Sequence, residues 1–379
     1  MADSLDHPAA GEAPGTRTPF VGLATDGSAR RGRVHTHRGG FDTPCFMPVG
    51  TRGAVKHLTA ADLDRLGVDV MLANTYHLML RPGPSRVAAQ GGLEGFTGWA
   101  GHHLTDSGGY QVFSLTPSVD DDGVTFRSTY DGDEIRLTPE RAVGIQEQLG
   151  GDIQMALDVC PPLPSPPGVV ATAVERTAAW ARRAIAVHRS PRQGLFGIVQ
   201  GGVDVGLRRQ SSRRTAELPF DGFGIGGFSV GEEAAPRADA LAATLDELPA
   251  DRPRYLMGVG DPVGLITAIE LGVDMFDCVL PTRHARHGTV LTGEGRLNLR
   301  NAGNLGDDRP LDDHCPCEVC QRHSRAFLAH LLRVKEPTGA RLVTIHNVAW
   351  TLALVDRARR AIETGRFEEV RRSVIEIWT

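Results

Sequence analysis

Three aspartates stand where an apolar run gives way to proline or glycine, a placement that can serve chemistry. Asp277 lies in Met275-Phe276-Asp277-Cys278-Val279-Leu280, just ahead of Pro281. Asp158 closes Ile153-Gln154-Met155-Ala156-Leu157 ahead of Pro161-Pro162, and Asp106 ends the run 101–106 before Ser107-Gly108-Gly109-Tyr110-Gln111. A carboxylate among Met, Phe, Val and Leu is costly to bury unless a partner or a reaction uses it. Beyond Pro281, Arg283 and Arg286 offer planar guanidinia that match phosphate bidentately. Two more runs end in Gln200-Gly201-Gly202 and Gly226-Gly227, where a missing Cβ lets backbone N–H groups approach a ligand. One such acid alone reads equally well as a strand-end ion pair. Several on a common rim read as a site.

A second cluster carries different chemistry. Cys315-Pro316-Cys317-Glu318-Val319-Cys320 sets three soft ligands within six residues, and a structural zinc needs a fourth. Downstream candidates are His323, His330 and His346, of which His323 is close for closing a tetrahedron. The remaining cysteines, Cys45, Cys160 and Cys278, are scattered. That spacing is not a disulfide framework and favours metal binding in a reducing compartment.

The elements that must position these groups alternate. Strands are expected at 68–74, 101–106, 152–160, 194–200, 222–227, 254–259 and 274–280, after a first buried strand at 41–49. Helices are expected at 58–66 with Thr59 as N-cap, from Thr138-Pro139-Glu140, at 169–186, at 208–217 and at 263–271. A hairpin turning at Asp131-Gly132 interrupts the pattern at 124–137. Eight strands alternating with helices argue for an α/β fold, a (β/α)8 TIM-type barrel rather than an open sheet. Asp106, Asp158, Gln200, Gly227 and Asp277 then share the C-terminal rim, where such barrels carry their active sites. The expected organisation is a disordered tail at 1–18 and a barrel at 19–302. A zinc-binding subdomain at 303–350 and C-terminal helices packing on the barrel at 351–379 follow.

Composition sets the outer limits. At 379 residues and net charge −5, the chain is not coated in basic surface, so nucleic-acid contact must come from a local patch. Arginine supplies nearly all positive charge, since Lys56 and Lys335 are the lysines. No apolar run reaches the roughly 18–20 residues of a membrane span. The Ala/Gly/Pro/Asp-rich N-terminus lacks the apolar stretch of a signal peptide. A soluble, cytoplasmic protein is expected.

With these residues assembled, the chain resembles the bacterial tRNA-guanine transglycosylases, the queuine tRNA-ribosyltransferase family, from about residue 19 onward. The resemblance rests on Thr105-Asp106-Ser107-Gly108-Gly109-Tyr110-Gln111-Val112, on Phe276-Asp277-Cys278-Val279-Leu280-Pro281-Thr282-Arg283, and on the cysteine cluster. It implies exchange of guanine at the tRNA wobble position for the 7-deazaguanine preQ1, through a covalent aspartyl-ribosyl intermediate. Asp277 would be the nucleophile, and Asp106 the general acid/base that also binds the base. Asp158, Gln200 and the Gly227 amide would read the base edge, while Tyr110 and Met257 sandwich its ring. Cys160, Phe228 and Val230 would complete the base pocket, and Arg283 and Arg286 would hold tRNA phosphates. Cys315, Cys317, Cys320 and His346 would hold one structural Zn2+, and the protein would be a homodimer. The segment departs from the family pattern at His284-Ala285, His287, Phe228-Ser229 and Val159. Three rivals fit less well. A noncatalytic tRNA-binding partner subunit would have lost the rim acids, and a plain barrel glycosidase would lack the zinc cluster. An archaeal-type enzyme would need RNA-binding domains beyond Thr379.

Overall fold

Apolar strands covered on both faces must close on one another or on helices, and in the computed structural model they form a closed parallel barrel. The structure describes residues 17–115, 117–228 and 234–379. The barrel strands are β1 (Cys45–Gly50), β2 (Val70–Ala73), β3 (His102–Thr105) and β4 (Ile153–Met155). They continue as β5 (Gly194–Val199), β6 (Gly222–Ile225), β7 (Arg254–Leu256) and β8 (Met275–Cys278). Each pairs with the next, and β8 closes on β1 with Met275 opposite Cys45 and Cys278 opposite Pro48. Met47, Leu72, Leu104, Met155, Phe196, Tyr255 and Met275 share one buried cluster.

A three-stranded sheet precedes the barrel. Phe20–Asp26, Ala29–Thr36 and Gly39–Thr43 form an antiparallel sheet whose Val34 and Phe41 join the barrel's buried cluster. This sheet also supplies arginines to acids at the strand starts: Arg30 to Asp274 (Nε–Oδ1 2.8 Å) and, from the turn between its second and third strands, Arg38 to Asp152 (Nε–Oδ1 2.8 Å). The expected tail at 1–18 falls outside the described residues except for its end. There Thr18 is fully buried and the Arg17 N–H donates to Asp221 at 2.6 Å.

Several boundaries differ from expectation for local reasons. The fourth strand stops at Met155 rather than 160, because the Val159 N–H turns away to Thr177 Oγ1 (3.0 Å) and Pro161 has no N–H to give. The eighth stops at Cys278, and the segment past it is a helix, Leu280–His287, with Pro281 in its first turn. Proline ends a strand there, yet its fixed φ suits a helix start. The inserted hairpin is Val124–Arg127 and Glu134–Leu137, joined by a short third strand, Ser118–Val119. Finally, Pro337–Glu363 is one helix of 27 residues, so the boundary expected at 350 falls inside it. The last helix, Phe367–Trp378, buries Phe367 and Val374 in the same cluster as Leu265 and Ile269 of the barrel helix Pro262–Glu270. No helix among the described residues is long and apolar enough to cross a membrane.

Candidate active site

A cavity of about 410 Å³ opens among the C-terminal strand ends and gathers the residues that the sequence placed on that rim. Asp106, Asp158, Asp277, Gln200, Gly227, Tyr110, Met257, Cys160 and Arg283 all line it. A larger cavity, about 600 Å³, lies beside Cys315 and Cys317 near the start of β1. Its charged lining includes an ion pair, Arg359 to Asp356 at 3.2 Å, and the rim cavity is the one that gathers the strand-end acids.

Asp106 is held on both oxygens. Oδ1 accepts the Thr75 N–H (2.7 Å) and the Gly108 N–H (3.2 Å), while Oδ2 accepts Gln111 Nε2 (3.1 Å) and Asn74 Nδ2. Gly108 has φ +80, which glycine adopts without penalty, and this turn aims its N–H back at the acid. Burial nevertheless outweighs the four donors and pushes the Asp106 carboxyl up to about 6.

Asp158 sits just past β4, where the chain leaves the barrel. Its Oδ2 accepts Gln200 Nε2 at 2.6 Å and its Oδ1 accepts the Ser107 hydroxyl at 3.4 Å. Burial with only these neutral donors pushes it up to about 6 as well. Gln200 can lie this close because of the double glycine after β6. A Cβ on Gly226 would come within 2.5 Å of Gln200 Nε2, and one on Gly227 within 2.8 Å of Gln200 Oε1.

Asp277 is held on one oxygen. The Tyr255 hydroxyl (2.6 Å) and the Gly258 N–H (2.7 Å) both donate to Oδ1. Burial raises its pKa against these two donors. No ion pair to any of the three rim acids occurs among the described residues.

Cys315, Cys317, Cys320 and His346 bring their ligand atoms within 4.8 Å of one another. His346 Nδ1 lies 3.2 Å from Cys320 Sγ and 3.5 Å from Cys317 Sγ. Its Nε2 lies 2.8 Å from the Leu291 carbonyl, which can accept the Nε2–H and so turns Nδ1 toward the thiols as the atom that would bind a metal. Three sulfurs and an oriented imidazole fit a tetrahedral metal ion, and the chemistry of the set is compatible with zinc. His346 lies within the helix Pro337–Glu363. The adjacent Asn347 donates to the carbonyls of Pro281 (3.1 Å) and Thr289 (3.0 Å), tying the metal cluster to the helix that carries Arg283.

A sequence model of the family described as queuine tRNA-ribosyltransferase matches residues 26–379. A protein of that name from Thermus thermophilus is 50% identical over 351 residues, covering 92% of this chain and 91% of its own length. Another from Bacillus licheniformis is 48% identical over 363 residues, covering 95% of each chain. The chain belongs to the queuine tRNA-ribosyltransferase family. It is therefore an enzyme of the tRNA-guanine pentosyltransferase class.

Three of the expected site residues, two from the base pocket and one phosphate-binding arginine, stand differently from the rest. Phe228 does not line the cavity: its ring is fully buried and carries the Arg208 guanidinium at 3.9 Å. A large aromatic on this side of Gly227 packs into the barrel's helical shell more readily than into a polar cleft. Val230 lies outside the described residues. Arg286 sits one turn beyond Arg283, bonded to the Thr282 carbonyl at 3.0 Å and away from the cavity wall. Tyr110, 58% exposed, stands at the mouth. Sequence reasoning gave no role to Asn74, Thr75, Gln111 or Tyr255. Asn74-Thr75 had a usable signal, since an apolar run ending in Asn resembles the other rim positions. Tyr255 had none, because a tyrosine within a strand is ordinary.

Proposed function

We propose that the chain exchanges guanine at the anticodon wobble position of tRNA for preQ1 by double displacement on Asp277. The supporting observation is the unequal hold on the two acids. Asp106 has donors on both oxygens, whereas the donors to Asp277 share Oδ1 and leave Oδ2 uncommitted. An uncommitted carboxylate oxygen on a rigid strand suits attack at the ribose anomeric carbon. As the C1′–O bond to Asp277 forms, the C1′–N bond breaks and its electron pair leaves with the base. Asp106, pushed up to about 6, can carry the proton that the departing base takes up near neutrality. The second half reverses these steps. The incoming base loses its proton to Asp106, its nitrogen attacks C1′, and the ester bond returns its electrons to Asp277.

Recognition follows from Asp158 and Gln200. Their mutual bond occupies the acceptor; an entering guanine-like base offers N–H groups that replace Gln200 at Asp158. The released amide N–H and the Gly227 N–H then answer the exocyclic oxygen. Tyr110 and Met257 flank the ring, and Cys160 lies beside its 7-position, to which the family resemblance also assigns Val230. Arg283 and Arg286 meet tRNA phosphates on a nucleotide unstacked from its loop. The valine leaves room for an aminomethyl group and crowds the larger substituent of queuine.

The experiment is exchange of labelled guanine in unmodified tRNA, with preQ1 and queuine as competitors, and trapping of the complex on a denaturing gel. Asp277→Asn removes both exchange and trapped adduct, and peptide mapping finds ribose on the Asp277 peptide. Ribose on the Ser107-containing peptide reverses the assignment, and efficient queuine incorporation refutes the preQ1 preference. The same reading makes the metal one structural Zn2+ per chain and the protein a cytoplasmic homodimer. For the metal, Cys317→Ala is expected to lose zinc by elemental measurement and to lower the melting temperature, since binding is part of folding.

A further inference from the structure

A cluster on the barrel rim takes no part in the base chemistry. Arg52 follows β1, and Arg81 ends the helix Thr75–Leu80 that follows β2. Both guanidinia lie over the ring of Tyr130 in the turn of the inserted hairpin, 5.6 Å and 4.7 Å from its centroid. His77 Nδ1 is 3.2 Å from the Tyr130 hydroxyl and fixes the ring from the side. Among the described residues neither arginine forms an ion pair, although, behind a Ser128 hydrogen bond, Arg81 is among the groups that hold the neighbouring Asp131 below the usual carboxylate range, and both are exposed. Elsewhere near the surface Arg136, Arg176, Arg183, Arg209 and Arg213 do have carboxylate partners.

The barrel order makes this cluster a neighbour of Arg283. β8, β1 and β2 are consecutive in the ring, with Cys278 opposite Pro48 and Val49 opposite Leu72. The segments leaving their C-terminal ends carry Arg283, Arg52 and Arg81 in that order around the cavity, whose wall includes Val49, Asn74 and Arg283. The local field agrees. Burial first, and then Lys56, Arg286 and Arg341, hold His57 below its ordinary pKa; burial and then Arg52 do so for His77.

We propose that Arg52, Tyr130 and Arg81 form a preset clamp for RNA phosphates flanking the extruded nucleotide, continuing the arc begun by Arg283. The aromatic ring holds two flexible cations in place before binding, so less side-chain freedom is lost when phosphates arrive. The clamp rests on the base-exchange reading for its ligand, yet it is separable by measurement.

The test uses the full-length protein and a synthetic anticodon stem-loop, with binding and guanine exchange measured over a range of salt. The double variant Arg52→Gln/Arg81→Gln is expected to weaken RNA binding about 100-fold and to lower the slope of log affinity against log salt by about 2. KM for RNA rises accordingly, while kcat and KM for guanine stay within about twofold. Tyr130→Leu loses about tenfold, and Tyr130→Phe, which keeps the ring, retains wild-type binding. Arg213→Gln, remote from the rim, controls for net charge. Unchanged RNA affinity and salt slope in a folded double variant overturn the clamp. So does a change of oligomeric state with RNA affinity intact, which would assign the cluster to a protein contact. If the wild type binds the stem-loop but exchanges no guanine, the base-exchange reading fails, and the binding data still decide the clamp.

Discussion

Strand β4 has Asp152 immediately before it and Asp158 shortly after it; β8 has Asp274 before it and Asp277 near its end. All four are aspartates in apolar surroundings, yet the two barrel ends treat them differently. At the strand starts Asp152 receives Arg38 through two bonds and Asp274 receives Arg30 likewise, with backbone N–H groups of His103 and Arg254 completing each set. The Arg38 bonds overcome the effect of burial and hold Asp152 well below the usual carboxylate range, whereas at Asp274 burial outweighs Arg30 and the pKa is raised. At the strand ends Asp158 and Asp277 meet only neutral donors, and burial raises both. The counter-ion, rather than the acid, separates the acids that hold the barrel from those that line the cavity.

The sharpest way to break this contrast is to make one substitution at each end of β8. Asp274→Asn strands the buried Arg30 charge and is expected to lower unfolding free energy by about 3–5 kcal/mol, measured by denaturant titration. Asp277→Asn strands no partner charge, so the same titration should show no loss. Its effect appears instead as at least about a 10³-fold loss of exchange. Equal destabilisation at the two positions would erase the distinction.

A smaller effect sharpens it through pH. Asp158 is raised from its ordinary 3.8 to about 6, so the folded chain binds more protons than the unfolded chain between those values. The stability this group contributes is fully present below about 4 and is lost as pH rises toward 6. Asp158→Asn removes that dependence and keeps an acceptor for Gln200. The variant should gain on the wild type across this window, reaching an advantage on the order of 2–3 kcal/mol at neutral pH. A flat difference between pH 4 and 7 would mean that Asp158 is better solvated than its burial suggests.

The smallest change is Tyr255→Phe, which deletes one of the two donors on Asp277 Oδ1. Exchange should fall about tenfold, the worth of one hydrogen bond to a charged acceptor. The acid limb of the pH–rate profile should also move up, because that donor lowers the Asp277 pKa. An unshifted limb would separate the tyrosine from the acid's ionisation.

The strand-end acids were legible because an acid closing an apolar run before proline or glycine is a local pattern. Their distinction from Asp152 and Asp274 was not, since Arg38 and Arg30 lie 114 and 244 residues away along the chain. The barrel itself was legible from its alternation, whereas strand lengths were not. Met155 and Cys278 end their strands through tertiary hydrogen bonds and a helix start that no local rule revealed. Pro281 was read as a stop, and it proved also to be a beginning. The metal cysteines were legible by spacing, but only resemblance chose His346 over His323 and His330. Phe228 misled because its neighbours in sequence line the cavity while its own ring points into the packed shell.

The Arg30–Asp274 pair also bears on the order of assembly. Its partners are separated by 244 residues, and β8 meets β1 only once the intervening strands have found their places. Closing so long a loop brings its full entropic penalty before the pair can form, so such contacts come late. Arg30 therefore waits for the last barrel strand. On a ribosome making about 5–20 residues per second, that delay is many seconds, during which Arg30 lacks its acid and the N-terminal sheet lacks the closed barrel it covers.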